Sequence, residues 1–434
     1  MTGSSSPAEA PTPRAPFHYR DGQLHLEDVS LATLAARHGT PLYVYSRAAL
    51  RDAYREFADA VPGGQVAIHY AVKANSNIAV LDVLAREGAG FDIVSGGELQ
   101  RALTAGAEPS RIVFSGVGKQ VAEMQAALRA GVRCFNIESL AEMHRLDEVA
   151  RSLGMRAPVS IRVNPDVDAR THPYISTGLR ENKFGIAHDE ALAAYRTAAS
   201  LPGLEVIGLD CHIGSQITTL EPFLEALDRL LDLLRGLWRE GIAIAHLDLG
   251  GGLGIRYRDE SPPARAELVR AVHRRMGERL GQEAGRLSLW FEFGRAIAGP
   301  AGALLTRVEY LKPTSARRFA IVDAAMNDLL RPSLYDAHHD VLPLRPRDEA
   351  TGHWDLVGPI CESGDWLARD RALALHPGDL LALTEAGAYG MAMSSNYNSR
   401  ARAAEIMIDG KQAWVIRERE TFAHQIAGEH CLPR

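Results

Sequence analysis

A lysine that ends an apolar run and opens a polar turn, as Lys73 does in Tyr70-Ala71-Val72-Lys73-Ala74-Asn75, can keep its amine partly out of water. Such an amine is a nucleophile able to form a Schiff base. Taken alone it says little, because a lysine following a strand is ordinarily a solvated surface group. Three other segments carry comparable chemistry: His212 with Ser215 in Cys211-His212-Ile213-Gly214-Ser215, the triplet Gly250-Gly251-Gly252, and Glu292-Phe293-Gly294-Arg295. Consecutive glycines let backbone N–H groups approach an anion with no Cβ in the way, and a helix that follows would add its positive end, so the triplet reads as a phosphate cradle. A tight turn needing positive φ is the plainer reading of the same residues. A lone histidine or a lone buried carboxylate is likewise more often structural than catalytic. What matters is whether the chain brings these residues together.

Eight short β-type runs alternate with helix-patterned stretches: residues 65–72, 91–95, 112–115, 134–138, 159–163, 206–212, 246–249 and 287–293. The intervening segments, among them 98–105, 121–130, 140–153 and 222–240, are rich in Ala, Leu, Glu and Arg with apolar residues three and four apart. Eight such units predict an α/β fold, a (β/α)8 TIM barrel over residues 45–299. Beyond Gly299 the texture changes to β-type runs at 304–310, 319–323, 354–361, 379–384, 404–408 and 413–417, which predict an all-β C-terminal domain of Greek-key barrel or sandwich type. Asp409-Gly410 and Asp21-Gly22 are hairpin signals, and the second places residues 1–44 with 300–434 in the β-domain. Residues 1–16 are a Ser/Pro/Ala-rich tail expected to be disordered, and the long connection 164–185, with Thr171-His172-Pro173-Tyr174 and Asn182-Lys183-Phe184-Gly185, is expected to be a functional loop.

In a barrel of this kind the reactive face is the one at the carboxyl ends of the strands. Lys73, Asp92, Ser95, Arg162, Asn164, His212, Ser215, the glycine triplet and Glu292 to Arg295 all fall there. A phosphate cradle, a lysine, a carboxylate and an imidazole on one rim are the parts that hold pyridoxal 5′-phosphate. Lys73 would carry it, Glu292 would keep its pyridine nitrogen protonated so that the ring draws electrons from Cα, and His212 would stack on the ring face.

Composition narrows the alternatives. The 434 residues are 46% apolar and 24% charged with a formal charge of −6 and no basic stripe, which fits a globular protein of two domains and excludes a nucleic-acid binder. No apolar run reaches the roughly 18 residues of a membrane span, and the N-terminal tail has no apolar signal segment, so a cytoplasmic protein with no membrane contact is expected. Cys134, Cys211, Cys361 and Cys431 are too dispersed for a disulfide framework or a zinc knuckle, and no metal site is read.

Seven segments in order, Tyr70 to Asn75, Phe91 to Glu98, His212 to Gln216, Gly250 to Gly252, Arg331-Pro332-Ser333-Leu334-Tyr335, Cys361-Glu362-Ser363-Gly364-Asp365 and Gly387-Ala388-Tyr389-Gly390, resemble the fold-type III pyridoxal-phosphate-dependent decarboxylases nearly end to end. Within them the chain looks like the members that act on meso-diaminopimelate, removing the D-centre carboxylate to give L-lysine and CO2 in the last step of bacterial lysine synthesis. The resemblance implies that Lys73 bears the cofactor and that His212, Ser215, Gly251, Gly252, Glu292, Phe293, Gly294, Arg295 and Tyr389 surround it. It further implies that Arg295, Arg331, Tyr335, Glu362 and Tyr389 contact substrate. In this family the Cys-Glu pair enters from the partner subunit, so Cys361 would be the acid that protonates Cα across a homodimer interface. The arginines suit a dicarboxylic substrate, because the guanidinium fork binds carboxylates in bidentate fashion, and Glu362 suits the distal ammonium. Ornithine or arginine would not need so many arginines. The alternatives are a decarboxylase of ornithine, arginine or a carboxylated polyamine on the same scaffold, and a catalytically silent cofactor-binding regulator. One departure stands out: the family usually has Glu-Pro-Gly-Arg where this chain has Glu292-Phe293-Gly294-Arg295. Phenylalanine adds an N–H, bulk and backbone freedom beside the cofactor, with the activity expected to survive.

Overall fold

The computed structural model describes residues 12–63, 65–168 and 183–434. The chain forms two compact units, one made of the described part of residues 1–49 with Tyr257–Asp259 and Ala298–Arg434, the other of Leu50–Arg256 with Glu260–Ile297.

The second unit is a closed parallel barrel. Its strands are Val66–Ala71, Gly90–Ile93, Ile112–Phe114, Cys134–Ile137, Ala157–Asn164, Leu204–Asp210, His246–Asp248 and Ser288–Phe293, each paired with the next, and the last pairs back onto the first through Glu292 opposite His69. Helices between the strands carry their apolar stripe inward. Glu221–Arg239 buries Phe223, Leu227, Leu230, Leu231, Leu234 and Leu237 at three- and four-residue spacings. Side chains alternate across each strand, so one set fills the interior in layers. One such layer is His69, His246 and Trp290, the His246 ring lying flat on Trp290 at 3.5 Å. Gly90 and Gly208 complete it because nothing larger fits: a Cβ on Gly208 would lie 2.1 Å from the His246 ring and one on Gly90 2.3 Å from His69.

The first unit is β-rich, as expected from the texture after Gly299. A mixed sheet runs Trp366–Leu373, Gly352–Val357, Arg318–Val322, Gly302–Pro313, Leu42–Ser46, Ala404–Asp409, Gln412–Arg417, with Leu380–Leu383 added beside Gly302–Pro313 and Val341–Pro343 beside Leu380–Leu383. The N-terminal contribution reaches Ala49 because Leu42–Ser46 is a central strand, bonded to Gly302–Pro313 on one side and Ala404–Asp409 on the other. Residues 21 and 22 both have positive φ, 51° and 68°, the geometry of a tight two-residue hairpin turn between Phe17–Arg20 and Gln23–Leu26. This hairpin packs Phe17, Leu24 and Leu26 into a core with Leu31, Val44, Leu305 and Ile406, and Leu24 N–H donates to Leu344 O. Within the predicted tail, residues 1–11 lie outside the described residues, but 12–16 are held. Arg14 pairs with Asp340 at 2.8 Å. Of the predicted functional loop, 169–182 lie outside the described residues, Thr171, His172, Pro173, Tyr174 and Asn182 among them.

Candidate active site

Lys73 stands on a single 3-10 turn, Val72–Ala74, that closes the first barrel strand. The turn is set by its neighbours: Tyr70 Oη donates to Asn75 O, Asn75 Oδ1 accepts from Asn77 N–H, and Asn77 Oδ1 caps the helix Ile78–Arg86 by accepting from Ala79 N–H. Its ammonium lies 2.7 Å from Asp92 Oδ2, and Asp92 is completely buried on the second strand. On the helix that follows, burial pushes the Glu98 carboxyl up to about 7, against the N–H it accepts from Val94 and the nearby Lys73. Ser95, predicted on the same rim, caps that helix by accepting from Glu98 N–H.

Opposite this pair the interior is acidic. Glu292 Oε1 accepts from Ser115 Oγ and from Asn136 Nδ2, both at 3.2 Å. Carboxylate oxygens of Glu292, Asp210 and Asp248 lie within 4.8 Å of one another, all three buried. Burial, then mutual repulsion among these groups and Asp92, holds Glu292 and Asp210 well above the usual carboxylate range, and burial pushes Asp248 up to about 7. Asp210 Oδ1, Asp248 Oδ2 and Asp92 Oδ1 are buried without a hydrogen-bond partner, so a cationic N–H brought among them would be stabilised.

His212 follows the sixth strand. Its Nδ1 accepts from Gly251 N–H at 3.1 Å, so the neutral ring carries its proton on Nε2. Burial, with Arg162 and Lys73 adding to it, holds the imidazole well below its ordinary value and hence neutral at pH 7. Arg162 itself is bonded to Glu138 at 2.9 Å and lies over the Phe184 ring. The glycine triplet is both a strained turn and a close-packed one: Gly250 and Gly252 have φ of 64° and 109°, and a Cβ on Gly251 would stand 2.1 Å from Glu292 O and one on Gly252 2.4 Å from Gly214 O. The expected helix does not follow it. The chain stays irregular until Arg265–Leu280, so the N–H groups of the turn act without a helix end behind them. Arg295 Nη2 donates to Ser215 Oγ at 2.9 Å, which joins the ends of the sixth and eighth strands.

Phe293 differs from expectation. It alternates with the inward Glu292, so its ring turns to the outer face and stacks on Phe57 at 4.0 Å and on Phe291 at 5.2 Å. Its bulk packs barrel against helix. The residue that meets the Lys73 turn is Gly294, where a Cβ would come within 2.8 Å of Ala74.

The remaining predicted residues belong to the β-rich unit. Arg331 is buried, with its guanidinium 4.6 Å from the Tyr257 ring centroid and bonded to His339 Nε2 at 3.2 Å, while His339 Nδ1 faces Thr384 O. Tyr335 ends the same short helix, Arg331–Tyr335, half-buried. Cys361 and Glu362 are exposed, Cys361 Sγ accepting from Asn398 Nδ2 at 3.4 Å and Glu362 from Tyr397 Oη at 3.0 Å. Tyr389, half-buried with φ of 56°, is flanked by Gly387 and Gly390, each too close to backbone for a Cβ. The barrel thus gathers Lys73, His212, Ser215, Gly251, Gly252, Glu292, Gly294 and Arg295, and the β-rich unit carries the other five.

Ser115, Asn136, Asp210 and Asp248 escaped the sequence reading. Each lies two residues beyond an interior neighbour, Val113, Cys134, Gly208 and His246, as Asp92 does beyond Gly90, Arg162 beyond Ser160 and Glu292 beyond Trp290. Stepping by two along every strand would have found them.

A closed eight-stranded barrel, a half-buried lysine on a buried aspartate, a neutral histidine on a glycine turn and an acid pocket fit a pyridoxal cofactor, and the chain belongs to the pyridoxal-dependent decarboxylases. The family's pyridoxal-binding domain matches residues 47–299. The chain is 61% identical over 418 residues to diaminopimelate decarboxylase of Pseudomonas aeruginosa, covering 96% of this chain and 99% of that one, and 56% identical over the same shares to that of Vibrio cholerae. The crystal structure of diaminopimelate decarboxylase from M. jannaschii in co-complex with L-lysine matches with a TM-score of 0.91 at 36% identity, covering 96% of this chain and 98% of that one.

Two outcomes follow from these contacts. Phe293→Ala removes the stack on Phe57 and should cost about 3–5 kcal/mol of stability, read from the urea midpoint, while surviving folded protein still binds cofactor. Asp248 holds its proton up to about pH 7 when folded but releases it near the ordinary carboxylate value when unfolded, so its contribution is greatest in acid and is lost as pH rises toward 7. Cofactor-free wild type should therefore lose more stability than Asp248→Asn between pH 4 and 7. Parallel curves in urea titrations would show that Asp248 ionises freely.

Proposed function

We propose that this protein decarboxylates meso-diaminopimelate at its D-centre, yielding L-lysine and CO2, as the last step of lysine synthesis in the cytoplasm. The observation that carries this reading is full-length identity to relatives bearing the name diaminopimelate decarboxylase, on a barrel whose rim presents Lys73 against Asp92.

Pyridoxal 5′-phosphate, when bound, supplies the electron sink that lets a carboxylate leave from Cα. Lys73 would hold it through its amine, and Asp92 would keep that amine at the rim as an ammonium whenever it is free. Glu292 would hold a proton at the ring nitrogen. His212, neutral and pinned through Nδ1 by Gly251 N–H, offers a flat face to the ring without adding charge. The N–H of Gly252 and the hydroxyl of Ser215 would take the phosphate beside the Gly251 N–H already given to His212, and Tyr389 would add its hydroxyl. Arg295, Arg331 and Tyr335 bind the carboxylate that stays, and Glu362 the distal ammonium. Cys361 would supply the thiol proton that takes the place of the departed carboxylate on Cα.

Exposure of Cys361 and Glu362 supports a homodimer in which this pair completes the partner's site. The interface itself would bury them.

Purified protein with pyridoxal phosphate should release CO2 from meso-diaminopimelate and not from ornithine or arginine. Release only from one of the latter would reassign the substrate, and release from none would favour a silent regulator. Lys73→Ala should lose visible cofactor absorption and turnover together, and Cys361→Ala should lose turnover with cofactor retained. Mixing the two variants under exchange should restore about a quarter of wild-type activity, because half of the dimers are then mixed and each has one intact site. No recovery on mixing would mean that each site is built from one chain.

A further inference from the structure

Glu292 is gripped at one oxygen by two donors that the proposed mechanism does not use. Asn136 Nδ2 and Ser115 Oγ both donate to Oε1 at 3.2 Å, and Asn136 Nδ2 also reaches Ser115 Oγ at 3.2 Å. The three side chains form a closed triangle inside the barrel, from the residue after the third strand and from the fourth and eighth strands. The amide is oriented by its surroundings, with Cys134 Sγ 3.8 Å from Asn136 Oδ1, so that the NH2 end faces the carboxylate. The backbone of Asn136 is anchored as well. Its carbonyl accepts at 2.7 Å from Lys119 Nζ, whose side chain has no solvent exposure and which also donates to Gly116 O at 2.8 Å and Glu142 Oε1 at 2.7 Å. A buried ammonium with three acceptors fixes the loops after the third and fourth strands, and with them both donors.

Lys73 and Arg162 favour the ionisation of Glu292, whereas Asp92, Asp210 and Asp248 all oppose it. Hydrogen bonds donated to a carboxylate favour its charged form. We propose that Asn136, seconded by Ser115, is the positioning residue that keeps Glu292 ionised and aimed, and so sets the protonation of the cofactor's ring nitrogen. This rests on the assignment of Glu292 to that nitrogen, and the test separates the two.

Holoenzyme loaded with pyridoxal phosphate carrying 15N in its ring reports that protonation directly through the nitrogen chemical shift. Glu292→Gln should move the resonance toward unprotonated pyridine. Asn136→Leu, which keeps the branched shape and removes the donors, should move it in the same direction, with cofactor binding weakened roughly ten- to hundredfold, the effect of losing a hydrogen bond to a charged group. Ser115→Ala, the gentler change, should produce the smaller shift of the same sign, and it stands in for Asn136→Leu should the latter fail to fold. A residue that only held the barrel together would leave the resonance where it is. If Glu292→Gln moves the signal and the Asn136 and Ser115 variants do not, the positioning role is overturned while the assignment of Glu292 stands. If Glu292→Gln leaves it unmoved, the assignment fails and the inference with it.

Discussion

Closure of eight parallel strands into a ring is the constraint from which the site follows. With a side-chain period of two, each strand sends every second residue inward, and closure forces those residues into shared layers. A layer of His69, His246 and Trp290, filled out by Gly90 and Gly208, seals the interior. One period further on, the strands and their ends present Asp92, Ser115, Asn136, Arg162, Asp210, Asp248 and Glu292, and Lys73 stands two periods beyond His69 on the turn that closes the first strand. The functional layer is therefore the next course above a packed apolar and aromatic one. Its residues have fixed neighbours because the course beneath leaves no room to shift.

That arrangement concentrates acid. Arg162, bonded to Glu138 and close to Asp210 and Glu292, and Lys73, bonded to Asp92, are the cations set against four carboxyl groups, Asp92, Asp210, Asp248 and Glu292, while His212 is held neutral. Burial and mutual repulsion make full ionisation unfavourable, so protons or a cationic ligand must compensate. A pyridine nitrogen that needs to stay protonated at neutral pH is the kind of group such a pocket favours. The unbonded oxygens of Asp92, Asp210 and Asp248 belong to the same logic, since buried acceptors without donors are costly unless a ligand satisfies them.

The fold was legible because its signals are repetitive. Eight β-type runs at barrel spacing predicted all eight strands to within a few residues, and hairpin turns appear at Asp21-Gly22, both with positive φ, and at Gly410-Lys411, one residue past the Asp409-Gly410 signal, where Gly410 has positive φ. Short or unpatterned strands were missed: Val341–Pro343 has three residues, and Trp366–Leu373 mixes arginine and aspartate with apolar residues in a bulged pairing. Lys73 and the glycine turn could be read because their types are unusual where they fall. Asn136 and Ser115 could not, because a neutral amide and a hydroxyl acquire meaning only from a carboxylate 156 and 177 residues away. The helix expected after the glycines failed for a local reason: Gly252 and Leu253 are held by Ile217 across the turn, and Gln216 brackets Ile255 through two hydrogen bonds, so the segment continues as packed loop.

The turn from Glu292 to Arg295 shows why a family pattern can change at one position without disturbing its neighbours. Four successive residues serve four different surroundings: Glu292 the acid pocket, Phe293 the Phe57 stack outside the barrel, Gly294 the close passage past Ala71 and Ala74, and Arg295 the Ser215 hydroxyl. Only the second faces away from the interior. Its side chain answers to helix packing, where volume is selected, whereas the others answer to charge, clearance and hydrogen bonding. A proline there constrains the backbone directly, and a phenylalanine does so through the packing of its ring against Phe57 and Phe291. Either device can hold Glu292 and Gly294 in place, so the substitution moves the source of rigidity from the main chain to the outer core and leaves the inward chemistry intact.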